Sequence, residues 1–384
     1  MITRTLCIAI LIFTTAVTAP AQTPVLLDDD RFQSDAQRAI STLYNAQPET
    51  AREIMREWHR DFPAHPIWMV WDAMEIWWVV LNDLEDRSHD DALLETLARA
   101  DYQAGRLLQQ EPGHPDGLLI RAIANGYMAR HHANREEWVT AVRLGKRAYD
   151  LYQTLSASRP GFPDNHFTEG MSLYYADYLP DAYPVLRPFR WLMPHGDRQD
   201  GLQRLETAKQ NAIFSGAEAT YFLGIIHINY ENDSPAGLRY LQELANRFPD
   251  NAYYQRLYVR ALTMAGRVQE IDRVVPKILE RWEREQLAHA VTLQEELYLF
   301  HGIALHRQGR WPEALEAFRM SQQASLQLPN DETRQTYNVS SFHYGRTAMQ
   351  MHQPDLAREK LRVAANQRSD TALRNRAREL LRSL

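Results

Sequence analysis

Residues 302–318, GIALHRQGRWPEALEAF, contain a glycine, an alanine twelve residues later and a large apolar residue four positions beyond the alanine. These three positions are Gly302, Ala314 and Phe318. Between them lie Gly309 and Pro312, which are typical of one helix ending and a second beginning, because glycine favours the position after a helix and proline is tolerated in a first turn. The stretch therefore predicts a helical hairpin in which Gly302 lets the second helix approach closely.

The same spacing recurs along the chain. Gly224 is followed by Ala236 and Tyr240, and Gly345 is followed by Ala357 and Leu361. Three matches at one spacing are typical of the tetratricopeptide (TPR) repeat, a pair of antiparallel helices that stacks on its neighbours. We therefore predict an all-α fold, an open right-handed superhelix (α-solenoid) of seven to eight TPR-like hairpins that ends in a polar capping helix over residues 370–384.

A proline-rich segment interrupts this pattern at residues 180–197, PDAYPVLRPFRWLMPHGD. Its four prolines each remove a backbone N–H donor and disfavour a continuing helix, while its aromatic and aliphatic residues argue against a solvated linker. We predict an ordered irregular crossing between N-terminal hairpins at 22–179 and C-terminal hairpins at 198–384. Asp197 is expected to cap the next helix, and Gly201 is expected to allow close helix packing.

Residues 1–21 have the pattern of a secretory signal peptide. A basic residue precedes an apolar run from Leu6 to Val17, and Ala19-Pro20-Ala21 is typical of a cleavage site. We expect export to the periplasm or the medium, with no transmembrane segment after cleavage. A retained anchor is the alternative, although the run is shorter than the roughly 20 residues that a spanning helix needs. The single cysteine, Cys7, lies in this leader, so the sequence predicts no disulfide in the mature chain.

Composition narrows the range of functions. The net charge is −6, which argues against a nucleic-acid partner, because such proteins present basic surfaces to phosphates. None of the 14 histidines forms a His-x-x-x-His pair, and no phosphate-binding loop is present. The sequence therefore predicts neither a metal site nor a cofactor.

The most apolar stretch after the leader is residues 66–81, PIWMVWDAMEIWWVVL. One interpretation is a helix enclosed in the core. In the other, the repeat frame directs Val70, Met74, Trp77 and Trp78 toward a concave groove, where tryptophans would contact a protein or peptide ligand. The two interpretations differ in the direction that Trp77 and Trp78 take.

Two further sets of residues are candidates for ligand binding or catalysis. Arg187, Arg190 and Arg198 surround Trp191 in and after the crossing and would form an anion-binding patch, because guanidinium groups bind carboxylates and phosphates in forked pairs. Glu169 and Asp177 would serve as acid and base if the helices closed into a toroid that degrades polysaccharides. The spacings above favour an open scaffold over this enzyme.

Two motifs in the centre of the chain also carry a resemblance. YYADYLP at 174–180 and GDRQDGLQRLETA at 196–208 resemble a family of exported bacterial TPR proteins with no established activity. More distantly, the chain is similar to the eukaryotic inclusion-body-clearance family of TPR proteins. The resemblance implies the fold and export, and it leaves the activity open. Together these observations predict a non-catalytic scaffold that binds a protein or peptide in the bacterial cell envelope.

Overall fold

The computed structural model describes residues 23–192, 195–368 and 370–384, so the predicted signal peptide lies outside the described residues. Seventeen α-helices account for most of this part of the chain, and it contains no β-strand. The helices are α1 (Asp30–Tyr44), α2 (Pro48–Asp61), α3 (Ile67–Asn82), α4 (Asp90–Gln110), α5 (Pro115–Asn134), α6 (Trp138–Ser158), α7 (Asn165–Ala182), α8 (Arg198–Asn211), α9 (Gly216–Asn229), α10 (Ser234–Arg247), α11 (Ala252–Met264), α12 (Val268–Glu285), α13 (Ala290–Arg307), α14 (Trp311–Ser325), α15 (Gln335–Gln350), α16 (Pro354–Asn366) and α17 (Thr371–Arg382).

Each odd-numbered helix from α1 to α15 packs against the even-numbered helix that follows it, which gives eight consecutive hairpins. Helix α17 then packs on α16 at the end of the array. The prediction of an all-α solenoid built from TPR-like hairpins is confirmed by this architecture.

Glycines at the predicted spacing lie where two helices of a hairpin touch. A Cβ atom added to Gly302 on α13 would lie 2.5 Å from the Phe318 ring on α14. One added to Gly345 on α15 would lie 2.7 Å from the Leu361 side chain on α16. Such distances are far below a normal carbon contact, so only glycine allows these helices to pack this closely. A Cβ atom added to Gly224 on α9 would likewise lie 2.7 Å from the Leu241 side chain on α10.

Helices α7 and α8 also meet through glycines. A Cβ on Gly201 would lie 2.7 Å from the backbone nitrogen of Tyr174, and one on Gly170 would lie 2.9 Å from the carbonyl oxygen of Gly201. Asp197 is the N-cap of α8, since its carboxylate accepts a hydrogen bond from the backbone N–H of Asp200 at 3.0 Å. The backbones of the two helices are therefore in direct contact.

The proline-rich crossing begins later than the sequence predicts. Helix α7 continues through Pro180 and ends at Ala182, so the predicted boundary at residue 180 falls inside its last turn. The helix ends where Tyr183 adopts an extended conformation, because it precedes Pro184 and a following proline disfavours helical angles. A 3₁₀ segment, Pro184–Leu192, follows and contacts α6 and α7. Leu186 is fully buried in this segment.

Hydrogen bonds join helices from opposite halves of the sequence. The Asn251 side-chain amide donates to the Tyr44 carbonyl oxygen at 2.6 Å, and the Asn45 amide donates to Asp250 at 2.9 Å. Farther along the chain, Arg334 donates to Asp83 at 3.0 Å. The first hairpins of the solenoid are thus bonded to hairpins that lie more than 200 residues later in the sequence.

A partly buried histidine, His343, contributes to the pH dependence of stability. His343 on α15 lies against Phe318 and Phe342. Burial, together with the nearby charges of Arg346, His306 and Arg307, lowers the pKa of His343 from 6.5 to about 3. Below pH 6.5 the unfolded chain binds a proton that the folded chain does not, so stability is lost as the pH falls.

We expect this residue to account for about 1–2 kcal/mol of lost stability between pH 6.5 and pH 5. His343→Phe should flatten that part of a urea-denaturation pH profile, whereas His195→Gln, at an exposed histidine, should leave it unchanged. Parallel profiles for the parent and His343→Phe would show that His343 titrates normally.

Candidate binding cavity

A cavity of about 630 Å³ lies inside the N-terminal half of the solenoid. Its walls come from the first helices of five hairpins, α1, α3, α5, α7 and α9, together with α6. Most lining residues are aliphatic or aromatic. The volume lies within the roughly 300–1,000 Å³ typical of ligand pockets, and an apolar lining is usual for such sites.

The part of the cavity between α6 and α7 is bounded at both ends by aromatic pairs. At one end, Trp138 from the start of α6 meets Tyr183, with 4.5 Å between ring centroids. At the other end, Phe162 lies 6.3 Å from Phe214. The first pair joins the start of α6 to the end of α7, and the second joins the α6–α7 connection to the segment before α9. Between these pairs α6 and α7 make far fewer contacts than the two helices of a hairpin do, so their facing sides are left uncovered. Side chains such as Val142 and Met171 line this space and are only partly buried.

A charged network closes the wall where α1, α5 and α9 meet. Arg130 forms an ion pair with Glu218 at 2.9 Å, and the Tyr44 hydroxyl donates to the same carboxylate at 2.8 Å. The Arg130 guanidinium also lies 4.6 Å from the ring centroid of Tyr221 and 5.0 Å from that of Phe222, a favourable cation–π arrangement. Burial raises the pKa of Tyr44, and the adjacent Glu218 charge raises it further, so this hydroxyl remains a donor.

Two other buried carboxylates in the wall are held by backbone donors. Asp116 accepts hydrogen bonds from the N–H groups of Leu26 and Leu27 at 2.6 and 3.0 Å, which fixes the N-terminal segment to α5. Asp164 accepts from the three successive N–H groups of residues 213–215, ahead of α9. Each carboxylate therefore has partners within the protein and holds a connecting segment in place.

The tryptophan-rich helix contributes to the cavity through only some of its predicted residues. Val70 and Met74 line it, whereas Trp77 and Trp78 are absent from its lining. Trp77 is 1% exposed and contacts Tyr127, and Trp78 is 7% exposed and contacts Tyr44. The structure thus places the two tryptophans in the core, behind the cavity wall, as in the first of the two interpretations.

The predicted arginine patch is not assembled as one site. Arg198 is paired with Asp177 and Asp181 at 3.0 and 3.1 Å. Arg187 and Arg190 are exposed, as is Trp191, 79% of whose surface is accessible. Arg198 therefore joins α7 to α8. Of the predicted patch, only the exposed residues of the 3₁₀ segment remain available to a ligand.

The two carboxylates of the enzyme hypothesis also form interhelical ion pairs. Glu169 pairs with Arg204, and Asp177 pairs with Arg198 at 3.0 Å. A general acid or base needs a free proton-transfer position near a substrate, and both carboxylates are occupied by guanidinium groups. Their geometry fits a role in holding α7 against α8.

Among the described residues, no cluster of three or more histidine, cysteine or acidic side chains is arranged to hold a metal ion. In the same part of the chain, no helix combines the length and the apolar character needed to cross a membrane.

Comparisons with known proteins do not identify a family for this chain. No protein-family model matches the chain, and no curated protein matches it. Among solved structures, yeast Tom70 is similar over 93% of this chain and 89% of its own, at 11% sequence identity and a TM-score of 0.29. That score is too low to support an argument about fold or function. The TPR-like architecture rests on the helix packing described above.

The residues of α6 and α7 that line the cavity were not among those predicted from the sequence. One signal was available in Gly126 on α5, because the residue twelve positions later is Trp138, where the other repeats have alanine. A glycine without its small partner indicates that the usual close contact between two helices is missing.

Proposed function

We propose that this protein is a non-catalytic scaffold of the bacterial cell envelope that holds part of a protein or peptide partner in its internal cavity. The observation that carries the proposal is the apolar lining of the cavity, much of which is only partly buried. Apolar surface left uncovered inside a solenoid is typical of a binding site, since burying it on association is favourable. TPR-like arrays commonly bind their ligands on such inner helices.

The setting in the envelope rests on the sequence of residues 1–21 and on the resemblance to exported TPR proteins. If it is correct, mass spectrometry of protein from the envelope fraction should give a mature N-terminus at Gln22. A chain in that fraction that still begins at Met1 would contradict cleavage after Ala21.

A capture experiment separates a scaffold from an enzyme. Immobilised protein should retain a specific envelope protein, and Gly126→Leu, which places a leucine side chain in the cavity, should reduce the amount retained at least tenfold. Ala157→Leu adds the same side chain on the exposed face of α6 and should have no effect.

The double variant Glu169→Gln, Asp177→Asn should also retain the partner, because these carboxylates lie in ion pairs between α7 and α8. Polysaccharide turnover by the parent that this double variant abolishes would contradict the scaffold and favour the enzyme.

A further inference from the structure

Two glycines in the cavity wall have no packing reason to be glycine. A Cβ atom added to Gly126 on α5 would meet nothing within 4 Å, and one added to Gly145 on α6 would meet only the Ala129 side chain, at 4.0 Å. Both residues line the cavity and lie inside helices, where glycine destabilises the helix relative to alanine. At Gly302 the glycine is required by the ring of Phe318. At Gly126 and Gly145 its effect is to keep the cavity open.

The charged groups of the wall limit what can occupy this space. Arg130 and Glu218 neutralise each other, and Lys146 is paired with Asp150 at 2.6 Å. The Asp116 and Asp164 carboxylates accept backbone hydrogen bonds. The wall thus offers an occupant no unpaired charge from these groups. Charge complementarity therefore favours an uncharged group in the interior of the cavity, because burying an unpaired charge there is costly.

An extended peptide fits these walls less well than a hydrocarbon does. Each residue of a peptide brings an N–H and a C=O that need partners once they are buried, whereas a hydrocarbon chain needs none. The uncovered sides of α6 and α7 present Val142, Met171 and Leu179 along the cavity, so its walls match a chain of methylene groups.

From these observations we propose that the inner cavity binds a single long acyl chain, as found in a free fatty acid or in one chain of a lipid. The inference rests on the proposed binding role of the same cavity and adds the chemical class of the group that enters it. The protein partner of the proposed function would then carry such an acyl chain, and the chain would be the part of the partner that enters the cavity.

The test uses the purified protein, stripped of lipid over a hydrophobic resin, and 11-(dansylamino)undecanoic acid as a fluorescent probe. We expect saturable binding that palmitate displaces at least tenfold more effectively than octanoate, because each additional buried methylene adds to affinity. Gly126→Leu and Gly145→Leu should weaken probe binding at least tenfold without lowering the melting temperature. Ala157→Leu should bind as the parent does.

A second experiment identifies the source of the acyl chain. The protein is incubated with phosphatidylglycerol vesicles, isolated again and analysed by native mass spectrometry. Bound phospholipid would assign the site to membrane lipid, and probe binding without phospholipid uptake would assign it to free fatty acid.

Absence of probe binding, or equal binding by the parent and both glycine variants, would overturn the inference. Partner capture that persists alongside that result would leave the scaffold proposal intact. Probe binding without any captured protein would retain the acyl-chain site and contradict the scaffold.

Discussion

Replacing Arg334 with methionine is expected to destabilise the protein by about 3–5 kcal/mol, the usual cost of removing one partner from a buried ion pair. The Arg334 side chain is 3% exposed and donates to Glu295 at 2.8 Å and to Asp83 at 3.0 Å. Glu295 is itself 1% exposed, so the substitution leaves a buried carboxylate without its cation. The measurement is urea denaturation followed by circular dichroism.

The matched control is Arg319→Met. Arg319 pairs with Glu316 on the same helix, and both side chains are substantially exposed, at 43% and 59%. Its loss should cost less than about 1 kcal/mol, as is usual for surface pairs. Equal destabilisation by the two variants would mean that Arg334 does not join α15 to the segment after α3 in solution.

Replacing Gly302 with leucine is expected to cost about 2–4 kcal/mol, because the new side chain must displace the Phe318 ring and separate α13 from α14. The matched control is Gly126→Leu, which introduces the same side chain at a helical glycine with open space around it. This control should melt at or above the parent temperature, since leucine is a better helix former than glycine.

Thermal denaturation of the two variants therefore separates a packed glycine from an open one. If Gly302→Leu has the same melting temperature as the parent, the glycine-to-alanine spacing does not mark a helix contact. If Gly126→Leu is as damaging as Gly302→Leu, the cavity is not open as the structure shows.

The fold could be predicted from the sequence because its determinants are local. Gly302, Ala314 and Phe318 lie within one hairpin, so their spacing alone indicates which helices touch. The end of α7 depends on a finer effect: Pro180 removes one hydrogen bond and is tolerated in the last turn, whereas Pro184 forces Tyr183 into an extended conformation. The number of prolines in the segment does not indicate which of them ends the helix.

The cavity could not be predicted, because it results from contacts that are missing. No local pattern shows that α6 and α7 are held apart in the middle and joined at Trp138 and Tyr183. The pairing of Asp83 with Arg334, 251 residues apart, is equally invisible in a repeat pattern, which describes neighbours only. For the same reason Trp78 could not be assigned, since Tyr253 and Tyr254 on α11, in a distant hairpin, cover it.

Site-specific photocrosslinking in intact cells tests the central claim, that the internal cavity holds a protein partner. A benzoylphenylalanine introduced at Met171 lies in the cavity, and one introduced at Gln153 lies on the exposed face of α6. We predict a discrete crosslinked product with a second polypeptide from position 171 and none from position 153. No polypeptide product from position 171, or the same products from both positions, would contradict the proposal.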